Sequence, residues 1–122
     1  MFYRRPMAAF FDDLRALELE PREMAVYDMP IGLRQLHQDP ESGAEHHLVR
    51  YPPGMKARRH THSVAHTIVV IDGAIEVDGQ VLEAGSYVHH PANTVMHHQP
   101  APGRGCLFVI MFHGPFDVTL AS

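Results

Sequence analysis

Apolar and polar residues follow one another along this chain in short runs, of the length of strands rather than of helices. Ile31 to His37 and His46 to Tyr51 flank Asp39-Pro40-Glu41-Ser42-Gly43, a stretch of turn formers, so the pattern predicts a hairpin. Pro52-Pro53-Gly54 ends its second arm. Thr67 to Ile71 is a β-branched run bounded by Asp72-Gly73, and Ala74 to Val77 faces Gln80 to Glu83 across the two-residue turn Asp78-Gly79. Tyr87 to His90, Thr94 to His98, Cys106 to Phe112 and Phe116 to Leu120 complete the predicted strands, with Met24 to Tyr27 a further candidate. Ala8 to Leu19 reads as a short helix or an irregular arm that ends at the turn around Pro21. Short strands separated by regular turn signals point to an all-β sandwich or barrel. Residues 1–30 are expected to form an N-terminal arm and 31–122 the β-barrel domain.

Two of these strands, Thr67 to Ile71 and Cys106 to Phe112, are apolar at both parities, whereas a strand with one wet face alternates. Their outer face is therefore expected to be covered. A second copy is the expected cover, giving a homodimer; an N-terminal arm folded over the sheet produces the same pattern.

Composition narrows the function classes. A chain of 122 residues supports one hydrophobic core, and 45% hydrophobic with 20% charged residues is a globular balance. The net charge of −4 and scattered basic residues give no reason to expect nucleic acid. The one basic cluster, Lys56 with Arg58 and Arg59, adjoins histidines and is read as tuning their site. Cys106 is the only cysteine, which excludes an intramolecular disulfide and favours a reducing compartment. No apolar run reaches the roughly 18 residues of a membrane span, and Met1 to Phe11 lacks the apolar core and cleavage site of a signal peptide. A soluble, cytoplasmic domain is expected, with a small molecule rather than nucleic acid or membrane as its partner.

Histidine is the unusual residue: eleven, against ten Lys plus Arg, dispersed from His37 to His113. Arg58-Arg59-His60-Thr61-His62-Ser63-Val64-Ala65-His66 places three within nine positions. Residues two apart on a strand share a face, so His60 and His62 stand side by side, and His66 has the same parity. Neutral imidazole is the commonest metal ligand among side chains. Three of them with open positions suit Fe, Mn, Ni, Cu or Zn, and the lack of oxygen donors disfavours Ca and Mg. The spacing alone leaves two readings open, a solvated strand edge or a metal cage.

The frame around these histidines resembles the first signature of the cupin superfamily: Gly54, five residues, His60, one residue, His62, three residues, His66, six residues, Gly73. His66 stands where cupins usually carry Glu. The second cupin signature is partly visible in Gly85 to His98, where Gly85 and Pro91 keep the usual spacing but the expected histidine falls on Met96. One inserted residue brings the pattern to His97. The resemblance covers roughly Gly32 to the C-terminus; its lead-in is similar to small cupins of the anti-sigma-factor type, which overlap in pattern with cupin dioxygenases cleaving β-diketones or hydroxyacetophenones. It implies a double-stranded β-helix, the cupin jelly-roll barrel, holding a divalent transition metal on His60, His62, His66 and His97, with His98 the second choice for the last. A three-histidine set without His66 is the alternative. Replacing Glu by His leaves the cation its full charge, which favours an anionic ligand such as an enolate or carboxylate.

Two functions follow from the resemblance. The first is a metal-dependent dioxygenase-type enzyme acting on a small enolisable ketone, with Tyr87, Met96 and Phe108 as candidate pocket walls and Arg50 or Arg59 holding a substrate anion. The second is a non-catalytic sensor that binds a metal and a small ligand.

Overall fold

The computed structural model describes residues 8–121. Residues 1–7, which hold the start of the expected arm and most of the segment read against a signal peptide, lie outside the described residues. Among the described residues the chain forms one 3-10 turn, Leu14–Ala16, and ten strands. These are β1 (Glu20–Arg22), β2 (Ile31–Gln38), β3 (Glu45–Tyr51), β4 (His60–Thr61), β5 (His66–Val77), β6 (Gln80–Glu83), β7 (Tyr87–His90), β8 (His98–Pro100), β9 (Cys106–Phe112) and β10 (Thr119–Leu120). Eight belong to one antiparallel sheet ordered β1-β2-β3-β9-β5-β6, in which β7 and β8 also pair with β5; β4 and β10 pair separately.

β5 closes the structure. Its first part, from His66, lies between β9 and β7, and its last part, to Val77, lies between β6 and β8. One continuous strand thus passes from one wall of a jelly roll to the other. Asp72-Gly73, expected to end a strand, instead continues it just after the register with β9 shifts between Val70 and Asp72. Gly73 takes a φ of +70° there, and a Cβ at this position would lie 2.1 Å from the Gly105 carbonyl oxygen. An Asp-Gly pair serves a bulge as well as a turn, because both need a residue that tolerates positive φ. The predicted Asp78-Gly79 hairpin does turn, with φ of +48° and +88°. β1 escapes the sequence pattern because Pro21 sits inside it; an edge strand tolerates the missing N–H.

The inner face carries the core, with Val49, Tyr51, Ile68, Val70, Ile75, Phe108, Ile110 and Phe112 all buried. Each such side chain contributes about 1.5–3 kcal/mol relative to exposure. Part of the opposite face is covered as well: Leu48 and Leu107 are 0% and 1% exposed. The cover comes from the chain's own N-terminal segment. Arg15 donates to the Ile71 carbonyl on β5, and Glu18 accepts from Arg34 on β2, so Leu14 to Glu18 crosses the strip formed by β9 and β3. Leu19 then packs on Gly32. The N-terminal segment covers part of this face, and Val69, Ile71, Val109 and Met111 stay half-buried.

Replacing Gly73 by Ala is expected to cost about 2–3 kcal/mol, since it combines a disfavoured φ with a backbone clash. Urea unfolding followed by circular dichroism reads this directly, and an unchanged midpoint would contradict the bulge geometry.

Candidate metal centre

Strand period and two clamps assemble the histidines. His60 sits on β4, held on one side by β10 through the pairing with Leu120 and on the other by reciprocal backbone hydrogen bonds with Met96 (2.9 and 3.0 Å). His66 opens β5 between His90 of β7 and Phe112 of β9. His98 opens β8 opposite Val77. All four, with His62, are buried. Ring centroids run 4.9 Å from His60 to His62, 4.8 Å from His62 to His66, 6.0 Å from His66 to His98 and 5.7 Å from His98 back to His60. His90 stacks on His66 at 4.7 Å as a fifth imidazole.

The hydrogen bonds orient these rings. His60 Nδ1 bonds the Arg58 carbonyl at 2.8 Å, and His62 Nδ1 bonds the Asp117 carbonyl. A carbonyl only accepts, so both rings carry their proton on Nδ1 and a lone pair on Nε2. His98 Nδ1 meets the Tyr51 hydroxyl at 2.6 Å. Nε2 of His62 and His98, and both nitrogens of His66, are buried with no hydrogen-bond partner. The Asp117 carboxylate accepts from the Ser63 N–H at 2.7 Å and from its hydroxyl, which fastens the C-terminal segment over the His62 loop. Those bonds to Ser63 hold the Asp117 carboxyl below its ordinary pKa.

Burial also keeps the cluster neutral. It lowers the pKa of His60, His62 and His90, lowers His98 well below the usual imidazole value and, with His90 and His62 adding repulsion, brings His66 to about 3. Neutral imidazole is the ligating form.

Among the described residues no group of three or more His, Cys, Asp or Glu side chains stands in a geometry that could hold a cation. What suits a transition metal is the chemistry of the donors, five buried imidazoles gathered in one cluster. Nitrogens about 2.1 Å from a shared ion put neighbouring ring centroids about 4.6–5.3 Å apart. The His60–His62 and His62–His66 separations fall in that interval, and His98 stands slightly wide of it. Buried nitrogens without hydrogen-bond partners and a purely nitrogen donor set match the chemistry of a borderline transition cation such as Zn, Fe, Mn, Ni or Cu.

His97 is not in the cluster. Its ring is 25% exposed, with Nδ1 3.4 Å from the Asp78 carboxylate, while His98 occupies the inward position. The reason is parity: Met96 and His98 share the inner face, so moving one residue from the inward Met96 points a side chain out. Of the expected pocket walls, Phe108 is buried against the His98 ring at 6.0 Å and lines a cavity. Met96 packs in the core without lining that cavity. Tyr87 is 66% exposed, and Arg50 and Arg59 both face outward.

The cavity, about 470 Å³, lies against the inner faces of β2, β3 and β9. Tyr51, Phe108, Phe112 and Phe116 line it and also border the histidines, forming the partition between the two. Charges of both signs line it: Arg22, exposed on the edge strand in register with Ile31, and Arg34, together with the carboxylates Glu20 and Glu45. Tyr27, Tyr51, His90, Asp117 and Arg22 all had sequence positions but no motif to single them out. For His90 the signal was parity, since one of His89 and His90 had to face inward.

Comparison with known proteins places this geometry. The profile of the ChrR cupin-like domain matches residues 19–117. No curated protein is significantly similar in sequence. Similar solved structures include a cupin-like protein from Thermotoga maritima (17% identity, 91% of this chain and 90% of that one, TM-score 0.77). An acetylacetone dioxygenase from Acinetobacter johnsonii aligns at 19% identity over 100% of this chain and 84% of that one, TM-score 0.76. The polyketide cyclase RemF from Streptomyces resistomycificus aligns at 16% identity over 100% and 87%, TM-score 0.70. At these identities the likeness is one of fold.

The depressed histidine pKa values make a prediction for the metal-free protein. Below the ordinary imidazole pKa of about 6.5 the unfolded chain binds protons that the folded cluster refuses, so stability falls as pH drops from there toward 3. Each fully depressed histidine adds about 1.4 kcal/mol per pH unit to the slope in that window. Urea titrations from pH 7 to 4 are expected to show this fall, reduced in His66→Gln; a flat profile would contradict a neutral buried cluster.

Proposed function

This chain belongs to the ChrR cupin-like domain family, and from that premise and the histidine geometry we propose that it binds one divalent transition metal through His60, His62, His66 and His98 and acts as a dioxygenase-type enzyme on a small enolisable ketone. The observation that carries the reading is the set of buried imidazole nitrogens without hydrogen-bond partners in one cluster of rings. When bound, the metal supplies Lewis acidity and a template for the two oxygens of an enolised substrate. The protein's part is orientation and exclusion of water. The Arg58 and Asp117 carbonyls hold the His60 and His62 lone pairs inward. Phe108 and Phe112 are buried in the partition, and Arg22 and Arg34 offer positive charge in an adjoining cavity that Glu20 and Glu45 also line. The acetylacetone dioxygenase fold likeness supports this substrate class.

A second reading, a non-catalytic module that binds metal and ligand, is favoured by one feature. None of the five histidines lines the cavity, and the aromatic partition separates the two. Oxygen uptake decides between them.

Purified, untagged protein is expected to hold close to one equivalent of metal by elemental analysis. His98→Ala and the His60→Ala/His62→Ala double variant lose it, and His97→Ala keeps it. Retention in His98→Ala together with loss in His97→Ala would reverse the ligand assignment. Iron- or manganese-loaded protein is expected to consume O2 with pentane-2,4-dione; metal binding without uptake across a panel of β-diketones and hydroxyketones would favour the binding module.

A further inference from the structure

The cavity of about 470 Å³ has a long floor built in steps. Glu45, His47, Val49 and Tyr51, alternate residues of β3, all line it, and this stretch of strand covers about 20 Å at about 3.4 Å per residue. Pairing widens each step. Phe112 stands opposite Glu45, Ile110 and Gln35 flank His47, and Phe108 and Leu33 flank Val49. Ile31 and Tyr27 line the cavity at the Tyr51 end, where the two phenol hydroxyls are 2.7 Å apart. The middle of the floor is therefore apolar. The carbon chain of pentane-2,4-dione is shorter than one such step and leaves most of this floor uncovered.

The two ends of the floor differ in what they offer a polar ligand group. At one end both Glu45 carboxylate oxygens are already engaged, Oε1 by His47 Nε2 at 3.2 Å and Oε2 by the Phe116 N–H at 3.1 Å. A ketone oxygen brought there meets negative charge and no free donor on that carboxylate. At the other end stand the Tyr27 and Tyr51 hydroxyls and the Arg22 guanidinium, which is in register with Ile31. Around the cavity as a whole Arg22 and Arg34 are balanced by Glu20 and Glu45, so these charges give no preference for an ionised ligand.

We propose that this cavity is a slot for an elongated neutral ketone, its oxygens at the Tyr27, Tyr51 and Arg22 end and an unbranched hydrocarbon tail running along β3 over Leu33, Val49, Phe108 and Ile110. The ketone head rests on the enzyme reading above; the tail is what the floor adds, and it makes the substrate longer than pentane-2,4-dione. Burial alone holds the tail, and each methylene laid on the floor tightens binding about 4-fold. Leu33 is half-buried and stands between the two ends, so it sets how far a tail can pass. A larger side chain there blocks the tail and leaves the head its donors.

Isothermal titration of the purified protein with the unbranched pentane-, heptane-, nonane- and undecane-2,4-diones tests the slot by binding alone. The expected Kd falls about 15-fold for each two methylenes added, until the floor is covered; one Kd for the whole series would overturn the slot. Leu33→Trp is expected to bind pentane-2,4-dione as the parent does and to lose the gain of the longer diones. The full gain retained in that variant would overturn the course of the tail. Isoleucine methyl NMR spectra of the parent protein give a readout that does not depend on the variant folding. Pentane-2,4-dione is expected to shift Ile31 and leave Ile110 unmoved, and undecane-2,4-dione to shift both; an unmoved Ile110 with the long dione would contradict the tail along β3. Undecanoate binding more tightly than undecane-2,4-dione would replace the neutral ligand by an anion and overturn the ligand class. Length-graded binding without O2 uptake by metal-loaded protein supports the slot and overturns the enzyme reading alone, whereas O2 uptake without any length dependence overturns the slot alone.

Discussion

An imidazole taken out of water has two nitrogens to satisfy, and this barrel buries five such rings against one another. That constraint organises the interior. Carbonyls of Arg58 and Asp117 and the hydroxyl of Tyr51 satisfy one nitrogen of His60, His62 and His98, and each does so on Nδ1. The Nε2 atoms of His62 and His98 then have no hydrogen-bond partner among the described residues. An unsatisfied buried polar atom costs about 1–3 kcal/mol, so several of them together are tolerable only if something else completes them. The proposed metal does that with a single atom.

The scaffold pays attention to the same small region from three directions. β5 carries His66 at its start and, past the Gly73 bulge, reaches the opposite wall where β8 presents His98. β10 clamps the strand that carries His60. The C-terminal segment reaches the His62 loop through Asp117 and lays Phe116 over the His62 ring, 5.8 Å away. Ligands therefore come from segments far apart in the chain, each fixed by backbone pairing or a short side-chain clasp. Such a site is preorganised by the fold rather than by a mobile loop. The aromatic partition adds a dry wall on the cavity side, and the Tyr27–Tyr51 chain is the one polar thread that runs through it.

The half of the site on β4 and β5 was legible because its information is local. His60 and His62 share a face by strand parity, and the cupin spacing from Gly54 to Gly73 frames them. The half on β8 was harder. Strand period alone separates His98 from His97, and an inserted residue in the second signature erases the frame that parity needs. Arg50 illustrates the same limit: its positive charge is visible in the sequence, but its outward direction follows from pairing with partners far along the chain. Asp72-Gly73 was ambiguous for another reason, since positive φ serves turns and bulges alike. Tyr51 and Tyr27 were invisible as site residues because an aromatic residue near a strand reads as core until a hydroxyl partner is located in space.

X-ray absorption spectroscopy at the metal edge of the loaded protein tests the central claim, that these imidazoles converge on one ion. The account predicts a first shell of nitrogen donors at about 2.1 Å with outer-shell scattering from about four imidazoles. A shell dominated by oxygen or sulfur, or scattering from two imidazoles or fewer, would contradict it.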